Sequence, residues 1–222
     1  MSSYTNIPVC DLRHLTVEAV SDIKEICNVA CLILPKDADS ELLTVIGRVE
    51  KTNVAATLYL DVNDEITMMN GVISVGDGYF KPDGSTVMVI NGLCTAKNLS
   101  KEAKGKIYLN GMMILPQALE QSCGLSFLML NGTVKYLDYD HIQQSGTNVE
   151  LDADMLSYLE PATLIIAGKE IRVAPDVTGE MLKNKQIILY AGQSIICHKN
   201  SAGYIKATAT AGKEIIVMPD EQ

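Results

Sequence analysis

The 222 residues amount to about 1.5 typical domains, and 47% hydrophobic against 20% charged residues excludes intrinsic disorder. Eighteen Lys and Arg against 27 Asp and Glu give a net charge of −9, a poor match for nucleic acid or an anionic membrane surface. With no Trp and two Phe, the core has to be aliphatic.

The start, Met1 to Cys10, has neither the basic n-region nor the apolar h-region of a secretory signal. No apolar run approaches the ~20 residues that span a bilayer, so a cytoplasmic location is expected. Residues Thr16 to Ile26 repeat their apolar positions at helical spacing and predict an N-terminal helical cap over residues 1–27. Asn28-Val-Ala and Asn53-Val-Ala, 25 residues apart, each open an apolar strand. Between them Asp39 to Val49 opens with capping residues and reads as a short helix.

Next, Asn-Gly occurs four times, at Asn70-Gly71, Asn91-Gly92, Asn110-Gly111 and Asn131-Gly132, spaced by 21, 19 and 21. Each pair has an apolar run on both sides. The Asn series Asn28, Asn53, Asn70, Asn91, Asn110 and Asn131 therefore defines a repeat array over residues 28–137. Short helix-competent pieces follow the runs at Ser100 to Lys104 and Pro116 to Gln121. The polar stretch 138–160 reads as a break with a short helix, and Ala167-Gly168, Ala191-Gly192 and Ala211-Gly212 resume the array over 161–222. The whole is expected to be one continuous array.

Such a period predicts a mainly β fold: a right-handed β-solenoid with coils of ~20 residues and short helical inserts. Asn side chains at successive corners would form a hydrogen-bonded ladder. Gly71, Gly92, Gly111, Gly132, Gly168, Gly192 and Gly212 are the expected turn glycines, with φ > 0 after the corner asparagines and a different turn or register in the Ala-Gly units, whose first apolar residue falls at the third position after glycine. The competing arrangement is a stack of antiparallel hairpins, since Asn-Gly between apolar strands favours a type I′ turn. Against it, Asn28 and Asn53 lack the glycine that a two-residue turn most needs.

The apolar-x-Asn-Gly-apolar period resembles the polymer-forming β-solenoids of bactofilins, bacterial cytoskeletal proteins, over residues 53–222. The segment Ile23-x-x-Ile26-x-Asn28-x-Ala30-x-Leu32-x-Leu34 is similar to a leucine-rich repeat. The first resemblance implies self-assembly; neither carries over a functional residue.

Signs of catalysis are sparse. The densest acidic stretch is Asp138-Tyr-Asp-His141 with Asp152 and Asp154, where paired carboxylates could serve carbohydrate chemistry. A solvated loop rim is the expected reading. Asp61-Val-Asn-Asp-Glu65 lacks calcium-loop spacing and reads as a polar turn. Ser21-Asp-Ile-Lys24 matches a serine–lysine motif without its companion motifs. His14, His141 and His198 are isolated, and Gly76-Asp-Gly78 lacks the third glycine of a dinucleotide loop. The methionines of the repeat strands read as aliphatic core rather than a binding groove. The cysteines Cys10, Cys27, Cys31, Cys94, Cys123 and Cys197 contain no C-x-x-C pair and read as small buried hydrophobes.

The expectation is therefore a protein without catalytic, cofactor-binding or metal-binding residues, serving as a scaffold or interaction module. Its partners would be itself, as dimer or filament, or another protein, and neither nucleic acid nor membrane. The strand Ile215 to Met218, with only Pro219 to Gln222 after it, is the expected contact. The alternative is a carbohydrate-binding or carbohydrate-active protein using the Asp138 to Asp154 region.

Overall fold

A computed structural model describes residues 2–219. It is mainly β, with 50% of the chain in strands and 19% in helices, and its sheets are parallel without closing into a barrel. The chain divides into two compact units. The first comprises Met1–Leu93, Ser100–Met112 and Ser122–Thr133; the second comprises Cys94–Leu99, Met113–Gln121 and Val134–Gln222.

In the first unit, β1 (Ser2–Thr5), β3 (Ile23–Val29) and β5 (Glu50–Val54) form one sheet. The strands β2 (Val9–Asp11), β4 (Cys31–Pro35) and β6 (Thr57–Leu60) form a second. All pairings within these two sheets are parallel. The chain thus repeats strand, corner, strand. Between repeats stand α1 (Val17–Ser21), N-capped by Thr16, and α2 (Ser40–Arg48), N-capped by Asp39. Leu12, Val20, Ile26, Leu32, Leu34 and Ile46 fill the interior. The opposite face of β4, with Cys31 and Ile33, is also buried, against Leu58, Val87, Val89 and Tyr108. A strand covered on both faces reads as an uninterrupted apolar run, as Cys31 to Pro35 does.

The residues expected to form a helical cap over 1–27 hold β1, β2 and most of β3 instead. Only Val17–Ser21 is helical, and β3 begins at Ile23. The spacing Ile23, Ile26, Val29 belongs to an irregular strand whose buried residues fall at every third position. That period mimics a helix because the strand is bent.

Four long strands follow, in sheet order β10-β9-β8-β7: β7 (Glu65–Gly76), β8 (Thr86–Asn98), β9 (Gly105–Leu115) and β10 (Leu125–Tyr136). Each contains its Asn-Gly pair inside a single strand, which the antiparallel-hairpin arrangement does not allow. Asn91 bonds Asn70 while a Cβ on Gly92 would meet Gly71. Asn over Asn and Gly over Gly is possible only where strands run parallel in register.

In the second unit the same plan recurs with regularity. One sheet has the order β11 (His141–Ser145), β13 (Thr163–Ala167), β15 (Ile188–Ala191), β17 (Thr210–Ala211). The other has β12 (Val149–Leu151), β14 (Glu170–Val173), β16 (Ser194–His198), β18 (Glu214–Met218). All these pairs are parallel. After each of the first three coils comes a helix: α3 (Ala153–Tyr158), α4 (Gly179–Asn184) and α5 (Lys199–Thr208). Leu151, Ile165, Ile171, Val177, Leu182, Leu189 and Ile195 form the core. The stretch 138–160 is therefore no break. It holds β11, β12 and the expected short helix, α3, and it looked polar because β11 is an edge strand whose residues are mostly exposed.

Gly71, Gly92, Gly111 and Gly132 have positive φ, from +90° to +158°, whereas Gly168, Gly192 and Gly212 do not, so the later units turn differently. The second-unit glycines are required for a different reason. A Cβ on Gly192 would stand 2.3 Å from the Gly168 carbonyl oxygen, and one on Gly212 would stand 2.2 Å from that of Gly192. Gly192→Ala is expected to cost about 1–3 kcal/mol or more in urea unfolding, because backbone must move to admit the methyl. Gly203→Ala, on an open face of α5, is expected to be neutral or stabilising by about 0.5–1 kcal/mol. Equal losses at both positions would contradict this account.

Candidate functional site

The corner asparagines form two ladders. Asn28 Nδ2 donates to Asn6 Oδ1 at 3.0 Å and Asn53 Nδ2 to Asn28 Oδ1 at 2.7 Å, along the sheet of β1, β3 and β5. Asn91 donates to Asn70 at 3.1 Å, Asn110 to Asn91 at 3.3 Å, and Asn131 to Asn110 at 3.0 Å, along β7 to β10. Asn53 and Asn70 stand in different sheets, so the single series of the sequence divides there. Asn6 is a member that the sequence reading missed; Ile7 and Pro8 follow it in place of Val-Ala.

The two ladders turn the chain differently. Asn6, Asn28 and Asn53 themselves have φ of 56°, 54° and 53°, a left-handed conformation that Asn tolerates better than most residues. In β7 to β10 the following glycine takes the positive φ instead. That is why Asn28 and Asn53 need no glycine after them. All the ladder amides are exposed apart from the half-buried Asn91, so each bond contributes at the low end of the usual ~0.5–1.5 kcal/mol.

Both ladders have polarity. Each amide donates to the preceding coil and accepts from the following one. Among the described residues Asn70 Nδ2 donates no bond and Asn131 Oδ1 accepts none, so the ladder of β7 to β10 has a donor end and an acceptor end. The strand at its acceptor end, β10, exposes Leu128 (39%), Met129 (36%) and Leu130 (49%). Apolar residues uncovered on a sheet edge are an interaction feature that proteins ordinarily suppress.

The acidic groups serve structure. Asp138 Oδ1 accepts from the Gln117 backbone N–H at 3.0 Å. Lys97 Nζ donates to the Asp140 carbonyl at 2.6 Å and lies 3.6 Å from its carboxylate. Between them Tyr139 is buried, and burial pushes its phenol up. Asp152 N-caps α3, and Asp176 accepts from the Ala153 N–H. Asp138 and Asp140 do not converge on an open cleft.

The Asp61 to Glu65 turn is held by a charge cluster in which Arg13 and Asp64 are buried and Asp11, Asp61 and Lys106 are partly exposed. Arg13, whose side chain is 5% exposed, donates to both Asp11 carboxylate oxygens and to the Asp61 and Asp64 carbonyls. Lys106 Nζ reaches Asp64 at 2.5 Å and Asp61 at 3.2 Å. Burial raises the Asp11 carboxyl, but the Arg13 hydrogen bonds and charge outweigh it and hold it below the usual carboxylate range. At Lys106 burial is likewise outweighed by Asp64 and Asp61, and its ammonium is held above its ordinary value. This is a clamp that fastens β2 and β9 to one turn.

The remaining candidates also resolve into packing. Ser21 closes α1, donating to the Val17 carbonyl at 2.8 Å, while Lys24 lies in β3, so the serine and lysine do not share a helix. Asp77 of Gly76-Asp-Gly78 accepts from the Ser100 N–H. Burial pushes the Cys10 and Cys31 thiols up to about 11 and Cys94 up to about 12, which leaves them unreactive at neutral pH. The outer face of the β12–β18 sheet carries a depression of about 320 Å³ lined by Glu150, Arg172, Ile196, His198 and Met218. Arg172 there is already paired with Glu170 at 2.6 Å. Among the described residues, no helix is long and apolar enough to cross a membrane.

Comparison with protein-family models, with curated proteins and with solved structures returns no match.

Two measurements check these assignments. Asn28→Ala should lose the ladder bond and also carry the left-handed penalty of about 1–2 kcal/mol, whereas Asn28→Gly should recover most of that penalty in thermal unfolding. For the clamp, the depressed Asp11 group stabilises the fold above its unfolded value of about 3.9, and that contribution fades as pH falls through the lower folded value. Asp11→Asn should therefore cost about 2 kcal/mol at neutral pH and flatten the acid limb of stability against pH. An unchanged acid limb would remove Asp11 from the clamp.

Proposed function

We propose that this chain is a non-catalytic, right-handed β-solenoid scaffold of the cytoplasm that associates with copies of itself, or with another protein, through its uncovered coil ends. The observation that carries the proposal is the last coil. β17 and β18 end their sheets, and Ala211, Ile215 and Val217 continue the second unit's core while remaining only partly buried. Parallel in-register strands and helices set between coils support the solenoid reading, and the likeness of the Asn-Gly period to bactofilins agrees with it. A net charge of −9 argues against nucleic acid or an anionic membrane as the partner. Engagement of Asp138, Asp140 and Asp152 in turns and caps weighs against the carbohydrate reading.

Sedimentation equilibrium across a wide concentration range is expected to show mass rising above 24.1 kDa. Ile216→Lys, which places a charge on the outer face of the terminal strand, should shift the equilibrium toward monomer. A wild-type chain that stays monomeric at every concentration overturns the proposal.

A further inference from the structure

The four Asn-Gly pairs are identical dipeptides, all within the first unit and all in one sheet, yet their surroundings differ. Asparagine followed by glycine carries a reaction of its own. The glycine nitrogen, with no side chain beside it, can attack the carbonyl carbon of the asparagine side chain. A bond forms between that nitrogen and Cγ, the Cγ–Nδ2 bond breaks, and the glycine N–H proton leaves with the amide as ammonia. Water then opens the cyclic succinimide at either carbonyl, giving aspartate or isoaspartate. Water is the one co-reactant.

Two conditions limit the reaction in a folded chain. The asparagine side chain has to swing away from its neighbours onto its own main chain. The main chain between the two residues has to leave the extended form. A side chain bonded on both sides, in a strand paired on both sides, meets neither condition without local opening of the sheet. In the other ladder, Asn28 and Asn53 are followed by valine, whose branched side chain hinders the attack.

Asn91 and Asn110 are held on both sides. The Asn91 amide donates to Asn70 at 3.1 Å and accepts from Asn110 at 3.3 Å. Asn110 in turn accepts from Asn131 at 3.0 Å. Their strands, β8 and β9, have a paired strand on each side, and Gly92 and Gly111 are half-buried. Asn70 and Asn131 stand at the two ends of the ladder. Asn70 accepts one ladder bond and Asn131 donates one, so each needs to break a single ladder bond to turn. Their strands, β7 and β10, are the two edges of the sheet. Asn70, Gly71, Asn131 and Gly132 are all exposed, and so open to the water that completes the reaction.

We infer that Asn70 and Asn131 are sites of spontaneous deamidation, and that the ladder protects Asn91 and Asn110 between them. At Asn131 the product changes the sheet edge. Aspartate has no N–H to donate to Asn110, so the last ladder bond is lost. Isoaspartate lengthens the main chain by one atom and shifts the rest of β10 out of register with β9. Either product sets a carboxylate next to Leu128, Met129 and Leu130, a charge of the kind that keeps an apolar edge from pairing with another strand.

The native full-length chain, held in warm and mildly alkaline buffer and sampled over time, tests this. Peptide mass mapping locates each conversion, and methyl transfer by an isoaspartyl methyltransferase measures isoaspartate independently. Conversion at Asn70 and at Asn131 should run about tenfold or more faster than at Asn91 and Asn110, because the inner pairs need more bonds opened. In denaturant, where no sheet remains, the four pairs should convert at similar rates. That contrast between native and denatured chains supports the inference. Equal conversion of all four pairs in the native chain, or conversion led by Asn91 or Asn110, overturns it. So does a native chain in which none of the four converts while the denatured chain does.

Discussion

The main chain at each corner rests directly on the main chain of the corner before it. Parallel strands stand about 4.8 Å apart, and at that spacing the carbonyl of one corner occupies the volume that a side chain on the next would need. Gly111 shows the limit: a Cβ there would stand 2.1 Å from the Gly92 oxygen. Everything outside the corner is freer. The Asn-to-Asn separation varies from 19 to 25 residues because the inserts need only return the chain to the next corner. They do so as one- to three-turn helices fixed by local caps at Thr16, Asp39, Asp152 and Thr178. A period imposed at one point, and relaxed elsewhere, is what the sequence displays.

Three solutions to the corner coexist in one chain. In β1, β3 and β5 asparagine turns left-handed and bonds the asparagine below. In β7 to β10 the two duties separate, asparagine forming the ladder and glycine taking the turn. In the second unit the ladder is gone and only glycine's lack of a side chain remains. Magnitudes rank these devices. An exposed amide–amide bond contributes a fraction of a kcal/mol net, while forcing a methyl into a backbone contact costs about 1–3 kcal/mol or more. Glycine columns therefore fix the register, and asparagine ladders reinforce it. Register matters here because several strands are buried on both faces, as Thr163–Ala167 is, and a slip by one residue would misplace every side chain at once.

The period, the mainly β class and the parallel stacking follow from residues that recur, so they were legible where recurrence was clean. Asn70, Asn91, Asn110 and Asn131 share a motif and share a ladder. Legibility failed where the first coil of a stack departs from its successors. Asn6 carries Ile7-Pro8 behind it, and Gly146 follows serine rather than alanine, so neither matched its series. Both directly follow edge strands, β1 and β11, whose outer side has no strand to pair with and whose side chains are under weaker apolar constraint. Gln143 and Gln144 of β11 made a coil look like a loop for that reason. The Arg13 clamp was illegible for a different one. Its partners lie 48 and 51 residues away, and no local pattern marks an arginine whose donors meet carbonyls of a distant turn.

A parallel stack cannot bury its own ends. An antiparallel hairpin can fold a last strand back, and a barrel can close, but here neighbouring strands donate to one another in both directions, Cys31 N–H to Pro8 before it and Leu32 N–H to Ala56 after it, so an edge strand is left with both donors and acceptors unpaired. Two consequences follow for an acidic chain. Copies carrying −9 repel one another at long range, which opposes sideways collapse of exposed residues such as Leu128, Met129 and Leu130. The corner contacts within the chain are short-range and uncharged, so screening over about 8 Å at physiological salt weakens that repulsion and leaves them intact. Charge therefore works against contacts between copies, while the register of the strands within the chain rests on backbone corners that salt does not weaken.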